Sequence, residues 1–267
     1  MGFPMARKYF LEHHPMRDLL GTVYSQYFLS YLKYNSNSEA KIFAYGFLFH
    51  TAFLQENLEL MELYYSKIKE IELVEDIHVI VKGLKFGVQL LYTDFINNDR
   101  LFKKTFTEMK KVRENCISAS QKSVCSFEYT VLESLIFTNR LKEIKFLLKN
   151  NTIQIESDEM CVPQSRKQSH DEVWKIICAI SYQKLGDLEK CMSYLNKVNL
   201  DNLGIGWKNY YSILYKFVEL DFISNERKLE CYWSLKILID KGCFSYFEQK
   251  LNNIYKGNFA NLSLAMA

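Results

Sequence analysis

Residues 171–198, DEVWKIICAISYQKLGDLEKCMSYLNKV, limit what the rest of this chain can become. Val173, Ile176, Ile177 and Ile180 recur at helical spacing, with Trp174, Cys178 and Tyr182 beside them, which predicts an amphipathic helix. Gly186-Asp187 interrupts the run, as glycine does where a helix ends and aspartate where the next one starts. Leu188, Cys191, Met192, Leu195 and Val198 then form a second apolar stripe, with Glu189, Lys190 and Lys197 outside it. Such a hairpin cannot bury its remaining apolar face alone and needs neighbours of its own kind.

The chain supplies them. Tyr45, Leu48, Phe49 and Ala52 precede a turn at Glu56-Asn57-Leu58, and Met61, Tyr64, Tyr65, Ile68 and Ile71 follow it. Residues 77–112 place Leu84, Val88, Leu91 and Phe95 before Asn97-Asn98-Asp99, and Leu101, Phe102, Phe106, Met109 and Val112 after it. Residues 124–148 turn at Thr138-Asn139-Arg140 between Leu132, Leu135, Ile136 and Leu141, Ile144, Leu147, Leu148. Trp207, Tyr210, Tyr211, Leu214, Phe217 and Val218 lead into Ser224-Asn225-Glu226, and Leu229, Tyr232, Trp233 and Leu235 return. After Gly242, Phe244, Phe247, Leu251 and Ile254 mark a last, capping helix. Pro15 suits the first turn of an N-terminal helix continuing through Leu19, Leu20, Val23 and Leu32.

With only 3 prolines and 10 glycines in 267 residues, there is little room for a turn-rich β architecture and an all-α chain is expected. The expected layout is an N-terminal helical segment at 1–37, hairpins over 38–255 with an exposed polar loop at 151–170, and a tail at 256–267. Stacked in order, about six degenerate hairpins and a capping helix would make a right-handed α-solenoid. Each hairpin would then touch only its neighbours.

Ala179, Tyr182, Gly186, Asp187 and Cys191 carry a resemblance to the tetratricopeptide repeat, whose unit of about 34 residues is one helical hairpin. The usual proline after the second helix is replaced by Asn199-Leu200-Asp201.

The chemistry of catalysis is thinly represented. His13, His14, His50, His78 and His170 form no pair at metal-ligand spacing, there is no Cys-x-x-Cys, and no phosphate-binding or nucleophile motif occurs. Neither an enzyme nor a cofactor is expected. The 7 cysteines are odd in number and mostly fall on apolar stripes, which reads as reduced core thiols in a cytoplasmic protein. No stretch is long and apolar enough for a membrane span, and no membrane partner is expected. Lys103, Lys104, Lys110, Lys111 and Arg113 share one helix and read first as a solvated face. The 18 tyrosines and 19 phenylalanines mostly fall on the repeat stripes and read first as core, while those lining a concave groove would suit peptide recognition.

If the first helix of each hairpin faces a concave groove, His50, Gln89, Thr93, Tyr129, Glu133, Gln183 and Tyr211 become its peptide-binding groups, able to pair a buried peptide backbone. The apolar Phe244, Phe247 and Leu251 of the capping helix are expected to form a homodimer contact.

The run 127–150, the segment ISYQKLGDLEKCMSYLNKVNL and the aromatic YYSILYKF after it resemble the ligand-sensing domains of RRNPP peptide-pheromone receptors, most of all phage arbitrium receptors. That resemblance implies a short signalling peptide in the groove, homodimers through C-terminal helices, and a regulatory output in quorum sensing or transcription. It also implies an N-terminal helix-turn-helix on DNA. The stretch before Ser38 is too short to hold one, so DNA would be reached only through a domain missing from this chain. The competing expectation is a protein–protein interaction scaffold with no small ligand.

Overall fold

The computed structural model describes residues 29–30, 32–34, 37–74, 77–119, 121–150, 167–203, 205–242 and 244–259. Among them every regular element is helical and no strand occurs. The helices are α1 (Ser38–Leu54), α2 (Leu58–Glu70), α3 (Val79–Phe95), α4 (Asp99–Ala119), α5 (Gln121–Leu135), α6 (Leu141–Asn150), α7 (Lys167–Lys184), α8 (Leu188–Leu195), α9 (Ile205–Glu219), α10 (Asn225–Gly242) and α11 (Ser245–Phe259), with a 3-10 turn at Leu200–Asn202. They pair as five hairpins followed by α11. The sixth hairpin rested on residues before Ser38, and most of that segment lies outside the described residues, as do 151–166 of the expected loop and the tail beyond 259. The loop expectation needs one correction: α7 already begins at Lys167, so the polar run KQSH opens a helix instead of ending a loop.

One turn geometry recurs. Glu56, Asn97 and Gly186 have φ of 54°, 55° and 74°, the left-handed region. In each case the next residue, Asn57, Asn98 or Asp187, sends its N–H back to the carbonyl of Ala52, Thr93 or Tyr182 at 2.9–3.0 Å. This is the Schellman closure of a helix. The same three residues then cap the next helix, their side-chain oxygens accepting from Leu60, Leu101 and Lys190 N–H at 3.0–3.1 Å. Local chemistry alone therefore sets a helix end and a helix start within three residues.

The first helices, α1, α3, α5, α7 and α9, lie side by side, and each second helix packs on its own first helix. The α3–α5 contact is tight because Gly83 and Gly87 face α5. A Cβ on Gly83 would stand 2.9 Å from the Phe127 carbonyl oxygen, and one on Gly87 would stand 2.5 Å from Ser134 Oγ. Arg113 of α4 binds Glu128 of α5 in a buried pair, so it leaves the basic run that seemed a solvated face. Lys103 and Lys104 stay on that face, exposed and paired with Asp99 and Glu108. Buried Glu172 accepts the Asn199 N–H at 2.7 Å and Lys175 Nζ at 2.9 Å, tying α7 to the connector after α8.

The last helix changes the geometry of the whole. Tyr246 of α11 meets Phe53 of α1 at 5.0 Å between ring centroids, and its neighbour Phe247 meets Phe217 of α9 at 5.7 Å. Five helices in a straight row, at about 8–10 Å spacing, would hold α1 and α9 roughly 32–40 Å apart. Two adjacent residues cannot reach across that distance. The row must curl until its ends share α11. This departs from a stack in which each hairpin meets only its neighbours, and it explains why α1, the first helix of the series, is buried on nearly every side.

The curl also corrects the dimer expectation. Phe244, Phe247 and Leu251 are buried inside the chain, Phe247 among Phe137, Tyr210 and Phe217. An apolar stripe covered by its own chain has nothing to offer a second copy. The described cysteines Cys116, Cys178, Cys191 and Cys231 are buried, and burial pushes the thiols of Cys191 and Cys231 up to about 11.

Candidate functional site

Most of the side chains read as groove-facing lie inside the curl instead. His50, Thr93, Tyr129 and Tyr211 are buried. The Thr93 hydroxyl donates to the Gln89 and Leu90 carbonyls of its own helix, at 2.8 and 3.1 Å. Tyr129 lies against Trp174, with ring centroids 5.9 Å apart, and His50 sits edge-on to Phe49. Tyr211 of α9 donates its hydroxyl to Glu133 of α5 at 2.5 Å, bridging over α7. The physical reason is the tightness of the curl, which turns the inner face of the first helices into helix–helix contact. Gln89 is half-buried on α3. Of the seven, Gln183 alone reaches the rim.

At that rim, where the first helices end, polar side chains from all five hairpins and from α11 converge. Gln249 of α11 donates to Glu56 at 2.5 Å. Gln183 donates to Asp221, after α9, at 2.5 Å. Lys184, at the end of α7, donates to the Thr138 carbonyl at 2.9 Å. Arg140 donates Nε to Asp94 at 2.6 Å, reaches Asp99 with Nη1, and lies 4.2 Å from the centre of the Phe102 ring. Lys250 of α11 stands 4.8 Å over the Phe217 ring.

These contacts form a polar crescent around the first turns of α11. Its members come from positions as far apart as Glu56 and Lys250, so only the folded curl brings them together. Tyr246 fills the floor between Phe53 and Phe137, and burial, helped by Glu56, raises its phenol above the ordinary range. Burial lowers the Lys184 ammonium, with Asp94 opposing the shift. Lys250 is lowered by burial first and by the Lys184 charge second, with Asp221 opposing. By surface area the Lys250 side chain is exposed. Protein mass beside Lys250 accounts for the lowering while its side chain still reaches solvent.

A concavity lies between α9 and α10, a shallow groove of ≈ 460 Å³ lined by Lys208, Ser212, Lys216, Ser234, Ile237 and Leu238. Trp233 and Ile237 of α10 are exposed, at 53% and 54%. Among the described residues no group of three His, Cys, Asp or Glu side chains is placed to hold a metal ion, and no helix is long and apolar enough to cross a membrane.

The sequence offered little warning of the crescent. Lys184 and Lys250 look like ordinary solvated lysines, and Glu56, Asp94 and Asp221 like polar turn residues. The only available signal was position, since each sits at or next to the end of a first helix or in the last one. Comparison of this chain with protein-family models, with curated proteins and with solved structures finds no match.

Proposed function

We propose that this chain is a non-enzymatic receptor for a short peptide, a right-handed solenoid of tetratricopeptide-like hairpins whose ligand is held at the polar crescent. One observation carries the reading: hydrogen-bonding side chains from every hairpin and from α11 gather at the rim where the first helices end. A peptide lying there would exchange backbone hydrogen bonds with Gln183, Gln249 and Asp221, and would touch α1, α7, α9 and α11 at once. Because α11 ties α1 to α9, a ligand that touches all three would bias the curvature of the array. Control of a protein or transcriptional partner in the cytoplasm, in the manner of quorum-sensing and arbitrium receptors, is the output proposed.

The test is thermal unfolding with short peptides encoded beside the gene. A ligand at a hundredfold excess over its Kd should stabilise the fold by about 2.7 kcal/mol, and Gln183→Ala should weaken that gain. If no peptide raises the melting temperature, the receptor reading falls.

A scaffold without a small ligand is the second reading. It draws on the exposed Trp233 and Ile237 beside the α9–α10 groove, since exposed aromatic and aliphatic side chains mark protein-binding surfaces.

A further inference from the structure

The groove between α9 and α10 shares no residue with the crescent. Its α9 wall carries Lys208, Ser212 and Lys216, spaced by four residues and so lying in one line, about 6 Å apart. Its α10 wall carries Ser234, Ile237 and Leu238. Lys216 and Ser234 also line a smaller cavity of ≈ 100 Å³ with Glu219 and Arg227, so the two run on as one trench. From Lys208 to Glu219 it extends about 16 Å, the rise of three helical turns.

The layer of second helices is thin here. α8 has 8 residues, whereas α2 has 13 and α10 has 18. The chain leaves α8 early and crosses through the 3-10 turn at Leu200–Asn202 to begin α9, and α10 is the second helix that packs on α9.

Two features mark the trench as a contact surface. Ser212 is 7% exposed, yet its hydroxyl makes no hydrogen bond to any described residue, and neither does that of Ser234. The hydroxyls of Thr51, Thr93, Thr107 and Ser181, by contrast, each donate to the carbonyl one turn back in their helix. Ile237 of the trench and Trp233, one turn before it on α10, are both more than half exposed.

The walls also select the chemistry of what they touch. Two ammonium groups, two hydroxyls and the Asn209 amide supply donors, and no carboxylate lines the larger cavity. Asp201, outside that wall, meets Lys208 at 2.9 Å in an exposed pair, and Glu219 stands 4.0 Å from Lys216, beyond hydrogen-bond reach. Lys208 thus spends one of its three N–H donors on a weakly held partner and Lys216 spends none on its neighbour. A body that fills the trench must bring acceptors beside apolar side chains, over about three turns.

We propose that the trench docks an amphipathic helix of another protein, acidic along the edge that meets Lys208 and Lys216 and apolar where it meets Ile237, Leu238 and Trp233. The docked helix would extend the layer of second helices beside α10. The site does not depend on the crescent, and it names the kind of protein partner that both functional readings require.

The test uses the full chain with its 3 tryptophans replaced by 5-fluorotryptophan, the Trp233 signal being assigned through Trp233→Phe. In the free protein a soluble gadolinium chelate should broaden that signal. A sheltered signal would mean that a second copy or another part of the chain already covers the trench, and the proposal would fall. A display library of random helices of about 14 residues is then selected on the protein. Enriched sequences should join an apolar i, i+3, i+4, i+7 stripe to an excess of Asp and Glu. Synthesised, they should shift the Trp233 signal saturably. Ile237→Asp should abolish binding. Lys208→Glu with Lys216→Glu should weaken it at least about tenfold, and Ser212→Ala by a few-fold, with circular dichroism establishing that each variant is folded. Gln183→Ala, in the crescent, should change nothing here, so the two sites fail separately. Enrichment of basic or uncharged helices, binding indifferent to Ile237→Asp, or no enrichment at all would overturn the proposal.

Discussion

Gln249, in the last helix, hydrogen-bonds Glu56, at the first turn, across 193 positions of sequence at a distance of 2.5 Å. The bond itself is exposed and weak. Its place matters more, because Tyr246 and Phe247 bury themselves one turn away and fasten the two ends of the helix row together. Four consequences can be measured.

Phe247→Ala should destabilise the protein by about 3–5 kcal/mol, the usual cost of emptying a buried aromatic site. The informative readout is hydrogen exchange. Protection should fall in α1, through Tyr246 and Phe53, as well as in α9 and α10. Loss confined to α9–α11 would show that the row is not closed.

Gly186 holds φ at 74° with nothing within 4 Å of where a Cβ would stand. Gly186→Ala therefore meets no clash and should still cost about 1–2 kcal/mol through backbone strain alone. Asn97→Gly, at the equivalent turn position, should change stability by less than about 0.5 kcal/mol, since asparagine tolerates this region. Urea denaturation of the two variants tests both. An unchanged midpoint for Gly186→Ala would refute the turn geometry.

Arg140 joins the turn of the third hairpin to that of the second, with a fork to Asp94 and Asp99 and a stacked ring. Arg140→Lys keeps the charge but loses the planar fork and most of the stacking. It should lower the melting temperature nearly as much as Arg140→Ala. Full rescue by lysine would mean that charge alone makes the clip.

Lys250 has its ammonium lowered by burial and by Lys184. The sign follows from proton counting. Between the lowered folded value and the ordinary 10.5, the unfolded chain binds the proton and the folded chain does not, so this group adds stability as pH rises through that window. Lys250→Met should thus be more stable than the parent at neutral pH, with the gap closing as pH approaches 10.5. Tyr246, whose phenol is raised, pulls the other way near pH 10 in both proteins and cancels in the difference. A gap that widens with pH would show that Lys250 is not strained by its surroundings.

The hairpins were legible in the sequence because their signals are local. Asn57, Asn98 and Asp187 each cap a helix through a side chain three residues from its target, and the stripes around them repeat at helical spacing. The fate of α11 was not legible. A stripe such as Phe244, Phe247 and Leu251 announces burial, but a dimer partner and the far end of the same chain impose the same pattern. The side assignment failed for the same reason: whether Tyr211 or Gln183 faces a ligand depends on how sharply the row curls, and curvature is the sum of many contacts. Glu133 and Tyr211 were both read as polar groups awaiting a peptide, and they satisfy each other. Lys184 and Lys250 passed unnoticed because what surrounds a lysine becomes visible only when its neighbours in space are known.

The meeting of Tyr246 with Phe53 also sets an order of events during synthesis. A ribosome adding roughly 5–20 residues per second needs on the order of 10–40 s to travel from one ring to the other. Throughout that interval the apolar inner side of α1 has been made and its cover has not. The hairpins can form as they emerge, since each is local, but the row cannot close until almost the last helix is free. A nascent chain of this kind is most exposed to wrong partners late in its translation, when five hairpins have been made and α11 does not yet cover α1.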